Sequence, residues 1–290
     1  MQSNIKQRKL IKTLLVCLVL ATVLFSIVVV TRPAYAEENQ GEIYYGETVH
    51  SSDGSSYVEQ VETINYHHKE VIEYKINKTY PQYHIENPEL KNACANLAGL
   101  NALVFYDRYC PNLIENFEPG FDRNGVYTYF MHDMQKMNEV LAILYKLMLT
   151  NIKEQGTTQT DFKNGLAQYV NGKGYNISFQ SINNSGVLDM NKAEQVLRSN
   201  KPIVLYMSDY NVMKKNDSGT SVQINKKIYN GNHMMIAYGF EKIKYYDKNN
   251  NLIATKEMLF VASGTNNDLS SVYLVNNNGK MNDAEAITIY

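Results

Sequence analysis

The stretch NACANLAGLNALVFYDRYCP, residues 92–111, places apolar side chains on almost every side of a helix. A helix that is apolar all round is buried, not laid against one surface. Asn92 suits the capping position before the first helical residue, and Pro111 cannot continue the helix. The sequence therefore predicts a buried helix over residues 93–109.

More helical patterns follow this helix, and strand-like patterns follow them. Further helices are expected over residues 133–155, 160–170 and 192–199. Asn191 followed by Glu194 resembles the capping box of the last of these. The strand-like runs are PIVLYM (202–207), SVQINKKIY (221–229), HMMIAYGF (233–240), KIKYYD (242–247), EMLFVASG (257–264) and SVYLV (271–275). The segregation of helices from strands predicts an α+β domain with an antiparallel sheet over residues 81–290.

The first 36 residues predict a secretory signal peptide. Residues 4–12 are basic, residues 14–30 are apolar and uncharged, and PAYA at 33–36 supplies the small residues that signal peptidase reads. The alternative is an uncleaved anchor, because the apolar run approaches the roughly 18–20 residues that span a bilayer. We expect cleavage after Ala36 and a protein that is secreted or held at the extracellular surface.

Residues 37–80 lie between this segment and the predicted domain. Residues 37–56 are polar, with Gly and Ser clusters, and predict a loose N-terminal arm. Residues 57–80 alternate apolar and polar side chains in places and predict two strands. These strands belong either to the domain or to a pro-segment, and the sequence does not decide between the two.

The charge balance excludes one class of partner. Residues 1–36 carry five of the 28 Lys and Arg residues and none of the 29 Asp and Glu residues, so the remainder has a formal net charge of −6. A domain of that sign does not neutralise phosphates over a broad surface. We therefore expect no nucleic-acid partner.

Metal and cofactor motifs are weak. His67 and His68 are adjacent, and neighbours on a strand point to opposite faces. The other candidate ligands, His50, His84 and His132, have no histidine or carboxylate at ligand spacing. The glycine pair at 172–174 is not followed by the helix that a phosphate loop needs. No metal and no cofactor are expected.

One pair of residues suggests nucleophilic chemistry. Cys94 falls in the first turn of the predicted buried helix, where the helix dipole stabilises a thiolate. His233 begins a strand after a Gly-Asn turn, and an imidazole beside that thiol can take its proton. The structural alternative is that Cys94 is a small buried hydrophobe, as a lone cysteine on such a helix usually is.

Outside the first 36 residues the chain has two cysteines, Cys94 and Cys110. A chain of this size builds a core without disulfides. A Cys94–Cys110 bridge is an open alternative, and it requires both residues to leave the predicted helix.

Four segments together resemble bacterial papain-like cysteine peptidases, close to the bacteriocin-processing group. They are ACANLAGLNALVFYDRYCPNLI (93–114), GTTQTDFKNGLAQYVNGKGYN (156–176), AEQVLRSNKPIVLYM (193–207) and NGNHMMIAYGF (230–240). The resemblance covers about residues 80–290 and implies a papain-like fold. It implies Cys94 as the nucleophile and His233 as the general base, at a separation close to the roughly 130–150 residues of papain-like enzymes. The first segment ends near a Tyr–Asp pair, Tyr106 and Asp107, as in that family.

Two further roles are open. Where the family has a glutamine that stabilises the oxyanion, six residues before the cysteine, this chain has Pro88, and the candidates to replace it are Gln82, Asn87 and Asn92. At the position of the residue that orients the histidine stands Ser263, which carries no charge. The nearby candidates for that role are Asn266, Asn267 and Asp268, with Asn266 preferred.

The sequence therefore predicts a secreted, monomeric cysteine peptidase, or a related acyl transferase, acting on a peptide, isopeptide or cell-wall amide. The alternative is a surface protein that keeps the fold for binding after losing activity. A third alternative, a structural domain on a membrane anchor, depends on the PAYA site at 33–36 escaping cleavage.

Overall fold

The computed structural model describes residues 43–50, 56–76, 89–117, 120–121, 127–128, 134–184, 187–264, 273–275 and 281–290. The predicted signal peptide lies outside these residues. The helices are α1 (Cys94–Asp107), α2 (Met134–Leu147), α3 (Gln159–Gly172) and α4 (Met190–Arg198). The first strands are β1 (Ile43–His50), β2 (Ser56–Asn65), β3 (His68–Lys75), β4 (Gly120–Phe121), β5 (Tyr127–Thr128), β6 (Ile177–Ser181), β7 (Asn183–Asn184) and β8 (Val187–Leu188). The later strands are β9 (Ile203–Ser208), β10 (Asn211–Asp217), β11 (Ser221–Tyr229), β12 (Asn232–Tyr246), β13 (Leu252–Ala262), β14 (Tyr273–Val275) and β15 (Met281–Ile289).

The predicted α+β class is confirmed. Eleven strands form one sheet in the order β1-β2-β11-β10-β14-β13-β12-β9-β15-β6, with β3 paired to β12, and each strand pair in it is antiparallel. Along the chain, the helices come after the first three strands and before the long C-terminal run of strands, as the sequence predicted.

The strands predicted within residues 57–80 are confirmed as β2 and β3, which both enter the main sheet. The prediction of a loose arm over residues 37–56 is wrong for β1, which pairs with β2. β2 pairs with β11 from Tyr57 to Asn65, and β3 pairs with β12 along its whole length. Only Tyr66 and His67 separate the two strands, and their amides donate to Thr220 and Tyr246. The chain therefore passes here from the ladder between β2 and β11 to the ladder between β3 and β12.

The antiparallel sheet is covered on both faces at its neighbouring strands β12 and β9. Val204 and Tyr206 of β9 belong to the core cluster that contains α1, α2 and α3. Ile203, Leu205 and Met207 belong to the cluster under α4. Successive strand residues point to opposite faces, so the unbroken apolar run of β9 follows from burial on both sides.

The helix boundaries correct several details of the sequence prediction. Asn92 does not cap α1, because it has a φ of 58°, and the residue before the helix is Ala93, which makes no side-chain capping bond. Asp189 rather than Asn191 caps α4, accepting hydrogen bonds from two amides of its first turn. α2 ends at Leu147 rather than near residue 155, because the chain turns back through residues of positive φ.

Within the part of the chain that the structure describes, no helix combines the length and the apolar character needed to cross a membrane.

Candidate active site

Cys94 is the first residue of α1 and opens the helix that the sequence places in the core. The first amides of a helix have no acceptor within the helix, and they carry the positive end of its dipole. Since Ala93 supplies no capping side chain, these amides are left for other acceptors. One of them, the amide of Ala95, donates to the Cys94 sulfur. Cys94 as a residue is partly exposed to solvent.

The rest of α1 holds this start in place by burial. Every residue from Ala95 to Asp107 is buried. The Tyr106 hydroxyl donates to the Ile287 carbonyl at 2.6 Å, which ties the helix to β15. The Asp107 carboxylate accepts from the Ile114 amide at 2.7 Å and fixes the turn that follows. The Tyr–Asp pair that marked the family resemblance therefore anchors the helix.

His233 lies at the start of β12 and is 8% exposed. Its Nε2 lies 2.7 Å from the carbonyl oxygen of Ser263, which follows β13. A carbonyl only accepts hydrogen bonds, so Nε2 carries a proton and donates it. The other ring nitrogen, Nδ1, is then the one that meets the Cys94 thiol.

Cys94 and His233 form a hydrogen-bonded pair, so the structure brings together the two residues that the sequence singled out. Burial alone raises a thiol pKa, but the hydrogen bond and positive charge of His233, with the amides of Met234 and Ala95, outweigh it and lower the pKa of Cys94. Burial likewise disfavours the imidazolium, yet the Cys94 thiolate and the Ser263 carbonyl raise the pKa of His233. Both shifts favour a thiolate–imidazolium pair.

Cys110 provides the contrast within the same chain. Both cysteines are free, so the alternative of a Cys94–Cys110 disulfide is excluded. Cys110 is 3% exposed, and burial together with the charge of Asp107 raises the pKa of its thiol. The two thiols therefore have opposite pKa shifts, and Cys94 is the more accessible one.

Of the residues predicted to stabilise the oxyanion or to orient the histidine, only Asn92 lies within the described residues. Asn92 is exposed, and its side-chain amide donates to Asn151 at 3.0 Å, so it serves the loop after α2. Gln82, Asn87 and Pro88 lie outside the described residues. Asn266, Asn267 and Asp268 also lie outside them.

Among the described residues, the main chain of Ser263 occupies the orienting position. A backbone carbonyl is present at every residue, so no side-chain pattern marks this one. The only sequence signal was its place after the strand EMLFVA (257–262).

Within the described ranges, no three His, Cys, Asp or Glu side chains converge in a way that could hold a metal ion. His67 and His68 lie at the β2–β3 step, where the His68 ring stacks on Tyr246 at 4.7 Å. His50 is described only as part of the β1 backbone, and His84 and His132 lie outside the described residues.

Gly264 supports the carbonyl that orients His233, and its replacement provides the first test. Its φ is +67°, and a Cβ added there would lie 3.1 Å from Cδ1 of Leu97 on α1. We expect Gly264→Ala to lower the free energy of unfolding by about 1–2 kcal/mol. We also expect it to slow alkylation of Cys94 at about pH 6, because both the carbonyl and α1 must shift. Urea unfolding and timed labelling measure the two effects.

Gly219→Ala is the matched control. Gly219 also has a positive φ, +91°, but an added Cβ meets no atom within 4 Å. This variant should lose stability through its backbone and leave Cys94 labelling unchanged. Equal effects of the two variants on labelling would contradict the role given to the Ser263 carbonyl.

Comparisons of the chain with protein-family models, curated proteins and solved structures found no match.

Proposed function

We propose that this protein is a cysteine hydrolase that cleaves a peptide or amide bond with the Cys94–His233 pair. The observation that supports the proposal is the hydrogen bond between the thiol of Cys94, a partly exposed residue at a helix start, and a buried imidazole. A thiolate is the nucleophilic form of cysteine, and an imidazolium beside it is a ready proton donor.

The reaction follows from these positions. The Cys94 thiolate attacks the carbonyl carbon and forms a tetrahedral intermediate, whose oxyanion is stabilised by the Cys94 amide at the start of α1. Nδ1 of His233 then gives its proton to the leaving amine, and an acyl-enzyme remains. A water molecule attacks the thioester as Nδ1 takes a proton from it, which releases the acid and restores the pair. Throughout, Nε2 keeps its proton and donates it in a hydrogen bond to the Ser263 carbonyl.

A papain-like arrangement is part of the proposal. A cysteine that opens a buried helix and a histidine on an antiparallel sheet are the two features that the sequence resemblance implied. The Ser263 carbonyl takes the position that an Asn or Asp side chain fills in that family. We include a related acyl transferase in the proposal, since the same acyl-enzyme can be resolved by an amine.

The cellular setting and partners are proposals from the sequence. We propose export directed by residues 1–36, cleavage after Ala36, and a monomer acting on a peptide or protein substrate. N-terminal sequencing of material from the culture medium tests the export, because cleavage predicts a chain that begins at Glu37.

The experiment that tests the pair is alkylation with limiting iodoacetamide at about pH 6, followed by peptide mapping. An ordinary thiol, with a pKa of about 8.5, is well under 1% thiolate at that pH. Because the pKa of Cys94 is lowered, its thiolate persists as the pH falls below that value, so we expect fast labelling. We expect His233→Ala to slow Cys94 labelling by about 10- to 100-fold, since it removes the positive partner.

The control for this variant is His67→Ala, which changes an exposed histidine away from the pair. Its Cys94 should label at the wild-type rate. Cys110 should label slowly throughout, although burial contributes to that, so the decisive comparison is Cys94 with and without His233. Slow Cys94 labelling that does not respond to His233→Ala would contradict the proposal and favour the inactive binding protein.

A further inference from the structure

The Tyr210 ring lies nearly flat against the imidazole of His233. Their centroids are 4.2 Å apart, and their planes differ by 22°. Tyr229 stacks in turn on Tyr210, at 4.7 Å and 4°, and Tyr57 packs against Tyr229 at 5.1 Å. We call Tyr210, Tyr229 and Tyr57 the tyrosine column. It links β2, the end of β11 and the turn before β10 to the candidate active site.

The backbone of two turns holds Tyr210 in this position. The two residues between β9 and β10 are Asp209 and Tyr210, and Asp209 has a φ of 47°, a left-handed conformation that Asp tolerates better than most residues. The Asp209 amide donates to the Gly231 carbonyl at 2.7 Å, and the Tyr229 amide donates to the Tyr210 carbonyl at 2.8 Å. Gly231, with a φ of 116°, lies two residues before His233. The turns that carry Tyr210 and His233 are therefore bonded to each other.

Different groups contact the two nitrogens and one face of the His233 imidazole. Cys94 of α1 meets one ring nitrogen, and the Ser263 carbonyl after β13 meets the other. Tyr210 covers a face of the ring. The Asp209 carboxylate accepts from the Gly231 amide at 3.3 Å. The face of an aromatic ring attracts a cation and favours it most where water is excluded.

We propose that Tyr210 is a positioning residue for His233, whose ring keeps the imidazole in line between Cys94 and the Ser263 carbonyl and stabilises its protonated form. The inference rests on the proposed function, since it assigns Tyr210 a role in the same pair. A purely structural tyrosine would support the fold without changing the protonation of His233.

Two variants distinguish the effect of the aromatic ring of Tyr210 from the effect of its volume. Tyr210→Phe keeps an aromatic face, and Tyr210→Leu keeps an apolar side chain without one. Loss of the aromatic contact should slow Cys94 alkylation at about pH 6 by roughly fivefold to tenfold in the leucine variant. The phenylalanine variant should stay within about twofold of wild type. The control is Tyr57→Leu at the far end of the tyrosine column, which should also leave the rate within about twofold.

A second measurement is independent of thiol chemistry. Nuclear magnetic resonance follows the His233 Cε1–H signal through a pH titration, with His233→Ala identifying it among the six histidines. We expect the midpoint to move to lower pH in Tyr210→Leu and to stay in place in Tyr210→Phe. Circular dichroism checks each fold, and Tyr210→Met replaces the leucine variant if leucine does not fold.

The outcomes separate the two proposals. If wild-type Cys94 labels slowly, the proposed function fails, but a midpoint that moves only without the ring still supports the role of Tyr210. If Cys94 labels fast and Tyr210→Leu changes neither rate nor midpoint, the inference about Tyr210 is wrong and the hydrolase proposal stands. Equal losses of Cys94 labelling rate in Tyr210→Phe and Tyr210→Leu would also overturn the inference about Tyr210, because they would point to its hydroxyl rather than its ring.

Discussion

Cys94→Ser should reduce turnover by about 10⁴-fold or more and leave the domain folded. The hydroxyl that replaces the thiol does not ionise beside His233, so the thiolate is lost while the side-chain volume hardly changes. Because Cys94 is partly exposed at the first residue of α1, we expect the free energy of unfolding to change by less than about 1 kcal/mol. Urea unfolding tests the second half of this expectation.

The predicted loss of turnover is measured on a substrate, which has to be found first. Digestion of a mixed peptide library by the wild-type protein, read by mass spectrometry, identifies bonds that are cleaved. The same bonds are then followed with the variant. Turnover by Cys94→Ser near the wild-type rate would exclude Cys94 as the nucleophile, and unfolding of the variant would give Cys94 a structural role instead.

Cys110→Ala is the matched control. It should lower the stability of the domain and leave turnover unchanged. Cys110 is buried where its sulfur contacts the Ile289 carbonyl at 3.9 Å. We expect its loss to cost about 1 kcal/mol of stability through the small cavity it leaves. Turnover and Cys94 labelling should not change, because Cys110 is not part of the pair. The two cysteines thus separate chemistry from packing within one protein.

The sequence predicted those features that a local pattern encodes. The apolar surface of α1 predicted its burial, and the strand-like runs after Pro202 predicted the antiparallel sheet. Cys94 and His233 were identified because each stands at the start of an element, where its side chain is available for chemistry. Their hydrogen bond joins residues 139 positions apart, and it is the structure that brings them together.

The remaining features depend on the backbone or on distant contacts. The Ser263 carbonyl orients His233, but every residue has such a carbonyl, so composition gives no signal. Tyr210 contacts His233 because two turns are bonded to each other, and one of 23 tyrosines does not stand out in a sequence. Asn92 failed as a cap because its backbone turns into a left-handed conformation before the helix begins.

The start of α1 has no capping side chain, so the helix depends on burial for its stability. A capping side chain is worth about 0.5–2 kcal/mol, and Ala93 makes no such bond. The stability that the helix end does not supply has to come from packing along the rest of α1, where every residue from Ala95 to Asp107 is buried.

Phe105→Ala should therefore destabilise the domain by about 3–5 kcal/mol. Phe105 is fully buried on α1, and its ring contacts Tyr106 and Tyr109 at centroid distances of 5.1 and 5.7 Å. The alanine leaves a cavity behind the helix that positions Cys94, and the loss approaches the whole stability of a typical domain. Urea unfolding monitored by circular dichroism measures it.

Tyr109→Ala is the control for the loss of an aromatic ring in the same region. Tyr109 is 52% exposed just beyond the end of α1, so its removal should cost less than about 1 kcal/mol. Where Phe105→Ala is partly unfolded, Cys94 and Cys110 should label at similar rates at about pH 8.5, because unfolding abolishes both the ion pair and the burial. A Phe105→Ala variant as stable as Tyr109→Ala would contradict the central place given to α1. It would mean that the sheet, rather than this helix, holds the Cys94–His233 pair together.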